Sequence, residues 1–122
     1  MFTQLHTVLP ASDLERARAF YRDAFGVEPD ATYDGSLIYN AFGGTFELYE
    51  TANAGTAQNT QIGFISDDLD TDMADLRSHG VVFEEYDFPG MKTENGVLTT
   101  DDGRAAWLRD SEGNFVCLSQ RA

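Results

Sequence analysis

The sequence predicts an α+β fold, two tandem βαβββ modules whose strands form a curled mixed sheet around a cavity. Three observations lead there. The stretch QLHTVLPASDLERARAFYRDAFG, residues 4–26, returns in degraded form as TQIGFISDDLDTDMADLRSHG, residues 60–80, with Ser12 on Asp67, Asp13 on Asp68, Leu14 on Leu69, Ala19 on Ala74 and Arg22 on Arg77. Each copy reads as a strand, a capped helix and a glycine stop, and the chain after each copy is strand-like with turn dipeptides. Residues 52–59, ANAGTAQN, are small, polar and aperiodic, the only linker-like stretch in the chain. The expected organisation is therefore one domain, 1–122, with a first module over 3–51 and a second over 60–120. A helix covers one face of a four-stranded sheet and leaves the other bare, so two such modules must bury their bare faces together or curl them around a pocket.

Taken in order, Gln4 to Pro10 reads as a first strand that Pro10 closes. Ser12 and Glu15 form an S-x-x-E capping box, Leu14, Ala17, Tyr21, Ala24 and Phe25 keep helical spacing, and Gly26 supplies a left-handed stop. The period then changes: Ala31–Tyr33, Ser36–Phe42 and Thr45–Glu50 read as strands separated at Asp34-Gly35 and Gly43-Gly44. The second module opens with a strand over Thr60–Ser66 and a helix capped by Asp67, which carries Leu69, Met73 and Leu76 inward and stops at Gly80. Val81–Asp87 is the next expected strand, FPGMKTENG a longer excursion, and Ala105–Arg109 with Asn114–Ser119 a final hairpin around Asp110-Ser111-Glu112-Gly113.

Composition narrows the function. Twenty-one acidic residues face eight basic ones, a formal net charge of -13. That field repels phosphate backbones and anionic lipid, so neither nucleic acid nor membrane is an expected partner. The acidity fits a salt-rich host and fits ordinary genome composition equally well. The one cysteine, Cys117, cannot form an internal disulfide, and no apolar run approaches membrane-span length. The N-terminal residues lack the basic-then-apolar order of a secretory signal, so a cytoplasmic location is expected.

The duplicated βαβββ pattern, the opening LHTVLPASDLERARAFYRDAFG and the closing WLRDSEGNFVCLSQ together resemble the vicinal oxygen chelate superfamily, which includes glyoxalases, bleomycin resistance proteins and extradiol dioxygenases. FYRDAFG resembles that family's FY-x-x-x-LG helix ending, and RDSEGN its D-P-D-G-N turn with Ser111 in place of proline. YDFPGMKTENG also resembles a small bacterial subfamily of the group with no assigned activity. The resemblance implies a pocket with metal ligands, where present, on the first and last strands of each module. Those positions are His6, Glu47, Gln61 and Cys117.

These residues carry ordinary readings as well. A strand histidine is commonly structural, so His6 is either a pocket group or a core histidine bonded to backbone. Glu47, an acid between Phe46 and Leu48, faces solvent or a cavity, and the cavity is favoured because Phe46 and Leu48 then pack under the helix. Gln61 is a weak metal donor that hydrogen-bonds a ligand equally well. Cys117 reads as a small buried hydrophobe and cannot replace a proton-shuttling carboxylate at neutral pH. Glyoxalase-type isomerisation then lacks its base, and an extradiol dioxygenase lacks its two-histidine, one-carboxylate iron set. Tyr39, Phe64, Tyr86, Phe88 and Trp107 are aromatic enough in their surroundings to line a pocket, though most belong to the core. Trp107, beside the last hairpin, and Phe88, at the start of the excursion, are the two expected near a ligand.

The expected function is small-molecule binding of the bleomycin-resistance type. The ligand is an aromatic or planar molecule held without a full metal site, in a cavity completed by the second subunit of a homodimer. The alternative is a lyase, isomerase or transferase using a divalent metal (Zn, Ni, Mn or Fe) held by His6, Glu47 and Gln61.

Overall fold

The computed structural model describes all residues, Met1–Ala122. In chain order the elements are β1 (Thr7–Ala11), α1 (Leu14–Phe25), β2 (Ala31–Tyr33), β3 (Ser36–Ala41), β4 (Gly44–Glu50), β5 (Thr60–Ile65), α2 (Leu69–Ser78), β6 (Asp87–Phe88), β7 (Met91–Lys92), β8 (Leu98–Thr100), β9 (Gly103–Arg109) and β10 (Phe115–Arg121). They form an α+β fold of two βαβββ modules with the same strand order, β1-β4-β3-β2 in one sheet and β5-β10-β9-β8 in the other. In each sheet the first strand pairs parallel with the last, and the remaining pairs are antiparallel. Two compact units result: Met1–Gln58 with Asp110–Asn114, and Asn59–Arg109 with Phe115–Ala122.

In the first unit α1 lies on one sheet face. Ala17, Tyr21 and Ala24 are its buried residues, at the spacing the sequence predicts. They meet the inward face of β3 and β4, where Leu37, Tyr39, Phe46 and Leu48 are buried. Tyr39 and Phe46 stack with ring centroids 4.5 Å apart, and Tyr21 lies 5.4 Å from Phe46. Tyr39 is thus a core residue, and burial pushes its phenol up to about 12. Gly26 has φ 71° and ends α1 as expected.

The N-terminus of α1 differs from the expected capping box. Asp13, not Ser12, is the N-cap, its side chain accepting from the Arg16 N–H. The reason lies elsewhere in the unit: the buried Glu112 carboxylate accepts the N–H groups of both Ser12 and Asp13, drawing those residues out of the helix. The same shift occurs in the second unit, where Asp68 caps α2 in place of Asp67 and accepts from Thr71. β1 also starts later than expected, at Thr7, and continues through Pro10, which an edge strand tolerates because its missing N–H leaves no neighbour unpaired.

In the second unit α2 buries Leu69, Met73 and Leu76, as its sequence predicts. The expected strand over Val81–Asp87 does not form. Only Asp87 joins a strand, β6, and the rest of the stretch makes one bridge, Phe83 to Leu108, with Val81 and Phe83 buried. Glu84 N–H still reaches the Trp107 carbonyl, but Tyr86 exchanges hydrogen bonds with Thr93 and the chain leaves β9 there. Further along the same edge β9 is paired by β8, against Gly103–Ala105, a strand the sequence pattern does not announce. A short turn at Asp101-Asp102 closes β8 onto β9, a local pairing that costs little chain entropy. The FPGMKTENG excursion folds into the β6–β7 hairpin around Pro89-Gly90. No helix of the protein is long and apolar enough to cross a membrane.

Candidate functional site

Side-chain alternation decides what each sheet offers on the face opposite its helix. In the first unit Phe46 and Leu48 point to α1, so Glu47 between them points the other way, and its register partners Val8 and Ile38 share that face. His6, two residues before Val8, reaches the same carboxylate: its Nε2 lies 3.6 Å from Glu47 Oε1. The pair is partly open, with side-chain exposures of 36% and 23%. His6 sits just ahead of β1 rather than within it. Val8 and Tyr49 add exposed apolar surface beside the pair.

In the second unit Val116, Leu118, Ala106 and Leu108 are buried toward α2, and Cys117 and Trp107 are cross-strand partners on the opposite face. Trp107 is fixed at its polar end, its Nε1–H donating to Thr60 Oγ1 at 3.1 Å. Tyr86 packs edge-on against Trp107 at 5.9 Å and against Phe88 at 6.1 Å, making a chain of three rings. The sequence offers all three rings among its pocket candidates and singles out Trp107 and Phe88; that Tyr86 joins them is a matter of packing. Phe88 is 56% exposed. Cys117 is half-buried, and burial pushes its thiol up.

Gln61 is turned to a different task. β5 pairs Thr60 with Phe115 and Ile62 with Val116, so Gln61 is the extra residue of a bulge. Its side-chain Oε1 accepts the Phe115 N–H at 3.2 Å, supplying the hydrogen bond the irregular ladder omits. This use of the side chain could not be read from a strand pattern with regular register.

The candidate residues therefore gather in two groups, His6 with Glu47 in one unit and Trp107, Tyr86, Phe88 and Cys117 in the other. Their donor chemistry does not fit a complete divalent-metal site. Gln61 commits its oxygen to backbone, the Cys117 thiol is held toward its protonated form, and no set of three or more His, Cys, Asp or Glu side chains is arranged to hold a metal.

Beside these groups the first unit holds a buried polar knot that the sequence showed only as a turn. Glu112 has a fully buried side chain and accepts from Ser12, Asp13, Ser111 and Arg16, with Arg16 Nε at 2.8 Å. Burial opposes its charge, but the hydrogen bonds from Arg16, Ser111 and Asp13 and the Arg16 charge outweigh this and hold its carboxyl down to about 2. Next to it Tyr21 donates to Asp110 Oδ2 at 2.7 Å, and Asn114 Nδ2 donates to both Asp110 and the Pro10 carbonyl. These contacts explain the RDSEGN turn structurally: its acids anchor a helix.

Comparison with known proteins is consistent with this architecture. The family model described as Glyoxalase/Bleomycin resistance protein/Dioxygenase superfamily matches residues 3–118. Among solved structures, TnmS3, an antibiotic binding protein from Streptomyces sp. CB03234, is 26% identical with a TM-score of 0.68, covering 100% of this chain and 98% of its own. The bleomycin resistance determinant encoded on transposon Tn5 is 20% identical with a TM-score of 0.75, covering 98% of both chains. The fosfomycin resistance protein FosX from Listeria monocytogenes is 17% identical with a TM-score of 0.73, covering 100% of this chain and 96% of that one. No curated protein matches the sequence.

Proposed function

Because the chain belongs to the Glyoxalase/Bleomycin resistance protein/Dioxygenase superfamily, we propose that it binds a small aromatic or planar molecule without a full metal site, in a cavity completed by a second copy of the chain. The observation that carries this reading is the Phe88–Tyr86–Trp107 chain of rings on the face of the second sheet away from α2. A planar ligand gains offset-stacking and edge contacts against such rings beyond its simple area burial. Cys117 adds a small apolar wall beside Trp107. The likeness to TnmS3, an antibiotic binding protein, supports the same class of activity. Retention of the ligand, with no bond made or broken, is the expected work of the site.

A second reading, a divalent-metal-dependent lyase, isomerase or transferase using His6, Glu47 and Gln61, draws support from the closeness of His6 and Glu47 alone. The two readings separate in one experiment. Trp107 is the only tryptophan, so its emission reports events at the ring chain directly. Titration of the protein with metal-free bleomycin and with planar polycyclic aromatics in the presence of EDTA should give saturable quenching, weakened at least about tenfold by Phe88→Ala. Absence of quenching, together with stoichiometric zinc or nickel binding that His6→Ala and Glu47→Ala abolish, would overturn the proposal. Light scattering at working concentration checks the dimer.

A further inference from the structure

We propose that a cleft beside α2 in the second unit is a binding site for a small hydroxylated phosphomonoester. The cleft has a volume of about 540 Å³ and is walled by α2 on one side and by the Lys92–Thr99 segment on the other. It lies on the helix-covered side of the sheet: Arg104 and its register partner Thr99 line it, and alternation places both opposite Trp107. It is thus a separate location from the ring chain and does not rest on the function proposed for those rings.

Charge is the first indication. The chain has eight basic residues against 21 acids, and ion pairs occupy Arg16, Arg18, Arg22, Arg104 and Arg109. The other three, Arg77, Lys92 and Arg121, make no ion pair with a carboxylate, although acids abound, and the first two line this cleft. Arg77 is held rigidly. Its guanidinium sits 5.0 Å from the Phe83 ring centroid, and Nη2 donates to the Asn95 carbonyl at 2.8 Å.

That carbonyl is fixed in turn by a two-residue loop. Asn95 and Gly96 have φ of 53° and 80°, and Glu94 and Val97 exchange backbone hydrogen bonds across them. Glycine is required at the second position twice over, by its φ and by space: a Cβ there would come within 3.0 Å of Phe83 and 3.3 Å of Arg77. The remaining N–H groups of Arg77 are therefore pre-positioned, and a planar guanidinium with free donors suits a phosphate's paired oxygens. Lys92 supplies a second, flexible charge.

Two unpaired cations match a dianion. Asp70 is paired with Arg104 across the cleft at 2.6 Å, which leaves Glu94 to disfavour polyphosphate and nucleic acid by repulsion and the carboxylate oxygens still open to accept hydrogen bonds from hydroxyls, while Met73 and Val97 give an apolar floor. The volume lies in the range of small-ligand sites.

The test uses the full chain, labelled with ¹⁵N, and D-glucose 6-phosphate at low salt, with glucose and inorganic phosphate as controls. Saturable shifts of the Asn95 and Thr99 amides are expected, with Trp107 emission unchanged. Affinity should fall at least about tenfold in Lys92→Gln and in Arg77→Gln. Arg77 also braces the turn, so Lys92→Gln, at an exposed side chain without such a role, keeps the result interpretable if Arg77→Gln unfolds. No shift at those amides up to about 10 mM probe, or undiminished affinity in Lys92→Gln, would overturn the site. Equal binding of glucose would overturn the phosphate's role, and equal binding of inorganic phosphate the role given to the carboxylates.

Discussion

Replacing Glu112 by glutamine keeps the side chain's shape and removes its charge from the centre of the hydrogen bonds made by Ser12, Asp13, Arg16 and Ser111. The folded-state carboxyl stands at about 2 against an ordinary 4.5, a gap corresponding to roughly 3 kcal/mol. The sign comes from the direction of the shift. A depressed carboxyl contributes its full stability above the unfolded value of 4.5 and loses it as pH falls toward about 2. Glu112→Gln should therefore cost on the order of 3 kcal/mol at pH 7 and much less near pH 2. Arg16 keeps about half its side chain in water, which places the loss at the lower end for a broken buried pair. Urea denaturation of both proteins at several pH values measures it. A loss below about 1 kcal/mol at pH 7, or one equally large near pH 2, would refute the reasoning, because neither outcome is compatible with a carboxylate that stabilises by its charge.

Three further substitutions or labels test the same geometry. Tyr21→Phe removes a buried donor from Asp110 and should lower stability by about 1.5–3 kcal/mol in the same urea assay, since the lost bond is to an acid. Gln61→Ala leaves the Phe115 N–H without its acceptor and should cost about 1–3 kcal/mol while leaving any zinc affinity unchanged; a selective loss of zinc binding would restore Gln61 as a ligand. The Cys117 thiol, half-buried with its titration pushed up, should react with a thiol-labelling disulfide far more slowly in native protein than in urea, and equal rates would show that the wall beside Trp107 is open.

The parts of the fold legible in the sequence were those governed by local chemistry. Helix faces emerged from the spacing of Ala17, Tyr21 and Ala24, and of Leu69, Met73 and Leu76, and Gly26 marked a stop by its left-handed backbone. What escaped depended on residues remote in sequence. Both helices begin one residue later than their cap signals suggest; for α1 the cause is Glu112, which a reading of Ser12 and Glu15 alone cannot include. Val81–Asp87 has strand-like alternation, yet only Phe83 bridges β9, because Tyr86 turns its backbone hydrogen bonds to Thr93, a partner seven residues on that the alternation does not reveal. For the site, the direction of Glu47 could be read from Phe46 and Leu48, whereas the engagement of Gln61 required knowing where the ladder slips.

The residues Asp110–Asn114 group with the first unit, although the chain on either side of them belongs to the second. A gene fragment ending at Gln58 therefore encodes a helix whose first N–H groups and whose buried Tyr21 hydroxyl have lost the acids that receive them. Despite its internal repeat, the protein cannot be divided at the linker into two self-sufficient halves.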